Sequence, residues 1–197
     1  MDTGLILTVV VIVVLVAAVA AGAAFAVPWQ RRRRLRTRFG PEYDRAVEEH
    51  GDRRAAERDL AEREKRHASL QLTPLSDSSR RQYEQDWNRI QERFVDSPGE
   101  AVREGHDLLA RLMSDRGYPT EDDKQRITDL SVEHAGTLDR YREARAISER
   151  SSAGEATTED LRAAMVHYRA LFNELLGNGS AAPGEPGPAD RGDTAAR

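Results

Sequence analysis

The chain has 197 residues, 30 basic and 34 acidic side chains, a formal net charge of -4 and no cysteine. Without cysteine there are no disulfides and no thiolate metal sites, a composition compatible with a reducing compartment. Six arginines, Arg31, Arg32, Arg33, Arg34, Arg36 and Arg38, fall within eight residues, whereas residues 39–197 carry 24 basic against 33 acidic groups. A nucleic-acid-binding domain carries its positive charge on the folded body, so an acidic body argues against nucleic acid as a partner.

In chain order, the first element is apolar. Leu5 to Val27 is an uncharged run of 23 residues, long enough as a helix to span about 34 Å against a hydrocarbon core of about 30 Å. Trp29 follows at the depth where indole favours the interface, and the arginines come next. Residues 1–30 are therefore expected to form a single-pass transmembrane anchor and residues 31–38 an arginine-rich juxtamembrane segment. Positive charge resists translocation, which places the N-terminus outside and the C-terminal body in the cytoplasm. The competing reading is a cleaved signal peptide, with the small residues from Ala21 to Ala26 as its cleavage region. Against it stand the missing basic segment before the run and an apolar stretch longer than the roughly 7 to 15 residues of a signal core. As a topology signal the arginines need no other role; near the surface they also attract anionic headgroups, at about 1 kcal/mol each. Ala17, Ala18, Ala21 and Gly22 stand in pairs four apart, a spacing that permits weak self-association of the span.

The body reads as all-α, because no segment sustains period-two alternation and Gly and Pro fall at boundaries. Residues 39–75 are expected to hold a charged helix over 41–68 and an extended connector. Phe39-Gly40-Pro41 breaks away from the membrane helix, and Phe39, Tyr43, Ala46 and Val47 make a short apolar face. From Gly51 to Ala68 the only large aliphatic residue is Leu60; Asp59 with Arg63 and Glu62 with Arg66 support a solvated helix by a few tenths of a kcal/mol each. That helix either stands off the membrane or lies along the domain.

Residues 76–176 are expected to form a compact helical bundle. Tyr83, Trp87, Ile90 and Phe94 share one helix face, the clearest core stripe in the chain. Ser97-Pro98-Gly99-Glu100 has the pattern of a capping box with proline at the first helical position. The next helix carries Val102, Leu108, Leu109, Leu112 and Met113 and stops at Gly117. Thr120 is expected to cap a short helix holding Ile127 and Leu130, and another helix carries Leu138, Tyr141, Ala144 and Ile147. Thr157 or Thr158 caps the last, with Leu161, Met165, Tyr168, Phe172 and Leu175 on one face. Residues 177–197 hold eight Gly or Pro and almost no apolar bulk, the composition of a disordered tail.

Motifs that carry chemistry are missing: no Gly-rich phosphate loop, no GxSxG elbow, no HExxH and no spaced calcium loop. The histidines, His50, His67, His106, His134 and His167, are never three or four apart, so no two of them share a local metal-binding face. Neither a cofactor nor a catalytic residue is expected, and His134 is expected at a helix start or turn. Glu121-Asp122-Asp123 suits a helix N-terminus.

Three stretches carry a resemblance: the apolar helix with its arginines, the run from Phe39 through Glu57 (FGPEYDRAVEEHGDRRAAE), and Thr158-Glu-Asp-Leu-Arg followed by Met-Val-His-Tyr-Arg-Ala-Leu-Phe. Together they resemble a group of bacterial membrane or secreted proteins, mostly actinobacterial, with no known function. The resemblance implies no activity and no site residue. From the residues themselves the expected function is a membrane-tethered cytoplasmic helical adaptor that positions a protein partner at the inner leaflet. Two alternatives are an exported helical protein released by cleavage and an enzyme whose site is assembled across helices.

Overall fold

A computed structural model describes residues 29–119 and 122–177, together with Ile12, Val14 and Leu15. The expected span from Leu5 to Val27 lies outside the described residues except for those three, which are helical and exposed. The tail after Gly177 and the expected cap Thr120 also lie outside them. Every regular element among the described residues is a helix, and none of those helices is long and apolar enough to cross a membrane.

Residues 29 to 39 are helical and carry the arginines. Seven helices follow: α1 (Pro41–His50), α2 (Arg53–His67), α3 (Asp77–Arg93), α4 (Pro98–Asp115), α5 (Asp123–Leu130), α6 (Ala135–Ser152) and α7 (Thr158–Leu175). The bundle is built from α3, α4, α6 and α7, with α5 at one end. Its core is the set of stripes the sequence displays. The Trp87 ring of α3 stacks on Phe172 of α7 at 4.8 Å, and Tyr141 of α6 meets Tyr168 of α7 at 6.0 Å. Val102, Leu108, Leu109, Leu112 and Met113 of α4 are fully buried between them. The connector 70–75 runs over the C-terminal end of α4, where the Thr73 amide donates to the Arg116 carbonyl at 3.0 Å. Gly117 (φ +93°) permits this close approach, since a Cβ there would meet the Gln71 carbonyl oxygen at 2.5 Å.

The caps differ in detail from the sequence reading. Thr157 and Asp160 form the reciprocal capping box at the start of α7, but Ser97 makes no side-chain cap and its helix begins on Pro98 alone. Asp122 accepts from the Lys124 amide at 2.9 Å and so caps α5.

The larger correction concerns residues 41–68, which form two helices rather than one. Gly51 ends α1 in a left-handed conformation (φ +63°), and Asp52 caps α2 by accepting from the Arg54 and Ala55 amides. The chain therefore folds back, and α1 and α2 pack as a hairpin. Nor is the hairpin solvated on all sides. Ala56 and Leu60 are fully buried with Tyr43 and Ala46 in a second apolar cluster that includes Leu35, Phe39 and Val132. Alanine and one leucine suffice because the arginine-bearing helix covers them.

Polar ties fix this second unit on the bundle. The Glu42 carboxylate, 1% exposed, receives both terminal nitrogens of Arg142 on α6, one of them at 2.8 Å. Arg45 reaches Asp139 at 2.6 Å, and Arg66 donates to the buried Asp129 of α5 at 3.0 Å. Breaking a buried pair by removing one partner costs several kcal/mol because the other charge is stranded. Arg142→Met strands the buried carboxylate and is expected to cost about 3 kcal/mol, at the low end of that range because Arg45 remains 3.7 Å from it. Glu42→Met should cost less, since Arg142 is already partly hydrated. Chemical denaturation of the two variants and of the double replacement gives the order.

Candidate cationic cleft

The arginine helix has two faces with different tasks. At 100° per residue, Leu35 and Phe39 lie on one stripe, and both are completely buried against Tyr43, Ala46, Ala56, Leu60 and Val132. The arginines flank that stripe. On one side Arg36 bonds Asp44 at 3.0 Å and lies over the Tyr43 ring, with Arg32 near the Tyr43 hydroxyl. On the outer face Arg33 lies over the exposed Trp29 ring at 5.7 Å. On the other side Arg31, Arg34 and Arg38 face α2. Arg34 pairs with Glu64, which also lies 3.5 Å from Arg38.

These contacts fix the direction of α2. Arg34 and Arg38 both reach Glu64, and residues 30 and 31 line a cleft with Lys65, His67 and Ala68. The C-terminal end of α2 therefore returns to the level at which the arginine helix begins. The cleft encloses about 770 Å³ and is bordered by Gln30, Arg31, Arg34, Arg38, Glu64 and Lys65. Arg31 and Lys65 have no ion-pair partner among the described residues, while Arg34 and Arg38 are held by Glu64. The outer face of α2 continues the charge with exposed Arg53, Arg54 and Arg58 against Glu62.

Behind the cleft lies a buried polar seam. His67, at the end of α2, sits 3.8 Å from Glu133, and its ring centroid is 6.3 Å from that of Tyr118. The Tyr118 ring also faces His134, at 6.4 Å. His134 precedes α6, as expected, and its Nδ1 pairs with Glu174 Oε2 at 2.9 Å, an oxygen that also accepts from Thr137. Tyr118 Oη, Asp129 Oδ2 and the Nε2 atoms of His67 and His134 are buried without hydrogen-bond partners among the described residues. Burial holds the His67 imidazole below its ordinary value, with Arg38 and His134 acting in the same direction and Glu133 and Asp129 opposing. Burial likewise pushes the Tyr118 phenol upward. Nowhere among the described residues do three or more His, Asp or Glu side chains come together as metal ligands.

His106 and His167 are half-buried: His106 tilts against Tyr168 at 5.9 Å and His167 lies 3.3 Å from Glu143. His50 Nδ1 stays local, bonding the Ala46 carbonyl at 2.9 Å. The sequence reading named all six arginines but missed Leu35, Glu64, Lys65 and Val132. The signal was present for Leu35, which stands four residues before Phe39. For Val132, in the α5–α6 turn, there was none. No family model, curated protein or solved structure matches the chain.

A histidine whose folded-state value is depressed binds its proton more readily in the unfolded chain. Its contribution is complete above about pH 6.5, the unfolded value, and is lost as pH falls toward the folded one. The thermal midpoint of the detergent-solubilised chain is therefore expected to drop between pH 7.5 and 5. His67→Asn should make that drop shallower. His106, also depressed by burial, acts in the same sense, so the double replacement should flatten the curve further. A slope unchanged in both variants would remove the imidazoles as its cause.

Proposed function

We propose that the chain is a membrane-anchored adaptor, with its helical body in the cytoplasm and a juxtamembrane helix that acts as a bracket rather than a loose tether. The observation that carries this reading is the complete burial of Leu35 and Phe39 on the helix that bears the arginines. A flexible tether would leave both side chains in water. Burying them is favourable by about 1.5–3 kcal/mol each, so the segment directly after the apolar run is part of the fold. The support for anchoring is the uncharged run from Leu5 to Val27, the interfacial Trp29 and the arginines that resist translocation.

A bracket of this kind sets the orientation of the body. Whatever protein the adaptor engages then meets a fixed face of the bundle at a fixed height above the inner leaflet. No group of side chains described above has the arrangement of nucleophile, base and orienting partner that catalysis of acyl or phosphoryl transfer uses, and binding and positioning account for the features at hand.

Membranes from cells expressing the full chain, fused at its C-terminus to a reporter active only in the cytoplasm, provide the test. The reporter is expected to be active and the chain to resist alkaline extraction. A mature N-terminus between Phe25 and Gln30, found by mass spectrometry, would overturn the reading in favour of export. Within anchored chains, Leu35→Asp should leave extraction unchanged while sharply raising protease cleavage between residues 40 and 75, because the bracket no longer docks.

A further inference from the structure

We infer that the mouth of the cleft between the arginine helix and α2 is a binding site for the phosphate of an anionic phospholipid, formed by Arg31 and Lys65 with Gln30 beside them. The inference rests on the anchored reading above. It goes further in distinguishing one built site from the diffuse attraction that any arginine run exerts.

Four observations converge on the site. The cleft is open and shallow, and it brings together cations from two elements that are distant in sequence, with α1 and most of α2 lying between Arg31 and Lys65. Arg34 and Arg38 share the one carboxylate of Glu64. Arg31 and Lys65, on either side of them, have no such counter-charge among the described residues. Lys65 is one of only two lysines among 30 basic residues, and a compact ammonium at the cleft edge suits a phosphate that approaches as a point charge.

Depth decides which ligand reaches it. Along the described helix Arg31 stands about 3 Å beyond Trp29 and Arg38 about 14 Å beyond it. The headgroup layer on one side of a bilayer is about 5–8 Å thick. With Trp29 at the interface of the anchored chain, Arg31 and the α2 end beside it lie at phosphate level, while Arg38 lies beyond it. A lipid phosphate then meets Arg31 and Lys65 first. The basic outer face of α2 adds long-range attraction without adding a second cleft.

The test uses the full chain in neutral detergent, titrated with short-chain phosphatidylglycerol, short-chain phosphatidylcholine and inorganic phosphate, with retained ligand read by native mass spectrometry. One phosphatidylglycerol per chain is expected to be retained in preference to phosphatidylcholine. Lys65→Gln and Arg31→Gln should each weaken retention about fivefold, while Arg33→Gln, on the Trp29 face, should leave it unchanged. Equal losses in all three variants would reduce the effect to diffuse charge and overturn the site. Inorganic phosphate that displaces the lipid at matching concentration would overturn the lipid as its source. All three replaced residues are exposed, so an unchanged thermal midpoint separates lost binding from lost folding. Alkaline extraction of the same variants reports anchoring independently, so a failed site and a failed anchor give different results.

Discussion

Two apolar side chains on a helix crowded with guanidinium groups hold the N-terminal half of the described structure together. Leu35 and Phe39 are covered on every side, and their burial is favourable by about 3–6 kcal/mol together. The ion pairs around them are mostly exposed on the arginine side, where such pairs are worth about 0–1 kcal/mol each. The apolar stripe therefore docks the helix, and the pairs of Arg34, Arg36 and Arg38 set its rotation about its own axis. Without the stripe the same six arginines would repel one another along a solvated strand of chain.

The hairpin and the bundle are joined by a different kind of contact. Each has its own apolar cluster, and the seam between them is lined largely by charge: Glu42 with Arg142, Arg66 with Asp129, and His67 beside Glu133. A buried ionic seam adds little net stability compared with apolar packing but penalises wrong registers heavily, because each mispaired charge is stranded. The seam is therefore where water would enter first if the hairpin parted from the bundle. Such opening would expose Tyr118 and Asp129, whose buried polar atoms would gain water as partners.

The bundle was legible in the sequence because its elements are long and their stripes carry large side chains. Tyr83-Trp87-Ile90 and Leu161-Met165-Tyr168-Phe172 declare a buried face whatever covers it. The hairpin was illegible for the opposite reason. Between Gly51 and Ala68 the buried positions are Ala56, Leu60 and His67, too small or too polar to mark a core by periodicity. Their burial depends on a covering helix whose charge conceals its own apolar stripe. Gly51 followed by Asp52 is a stop and a start in adjacent residues, and acid–base pairs four apart along α2 masked that break by suggesting one continuous solvated helix. In the candidate site the arginines were visible one by one. Their division into paired and unpaired was not, because Glu64 and Lys65 reach them only through the fold-back at Gly51.

Charge geometry then resolves an apparent conflict in the proposed placement. Residues 39–197 carry more acid than base, and an acidic body beside an anionic leaflet should be repelled. Screening confines that repulsion to charges within about 8 Å of the surface at physiological ionic strength. The groups that the bracket holds in that layer are Arg31, Arg32, Arg33 and the Lys65 end of α2. The bundle meets the arginine helix at the α5–α6 turn, where Val132 packs with Leu35 and Phe39 and Glu133 lies 3.8 Å from His67. In the proposed placement the field that those basic groups set at the membrane is attractive. A rigid bracket is what holds those groups there: a loose tether would let the body tumble, average the two signs, and lose the orientation that an adaptor needs.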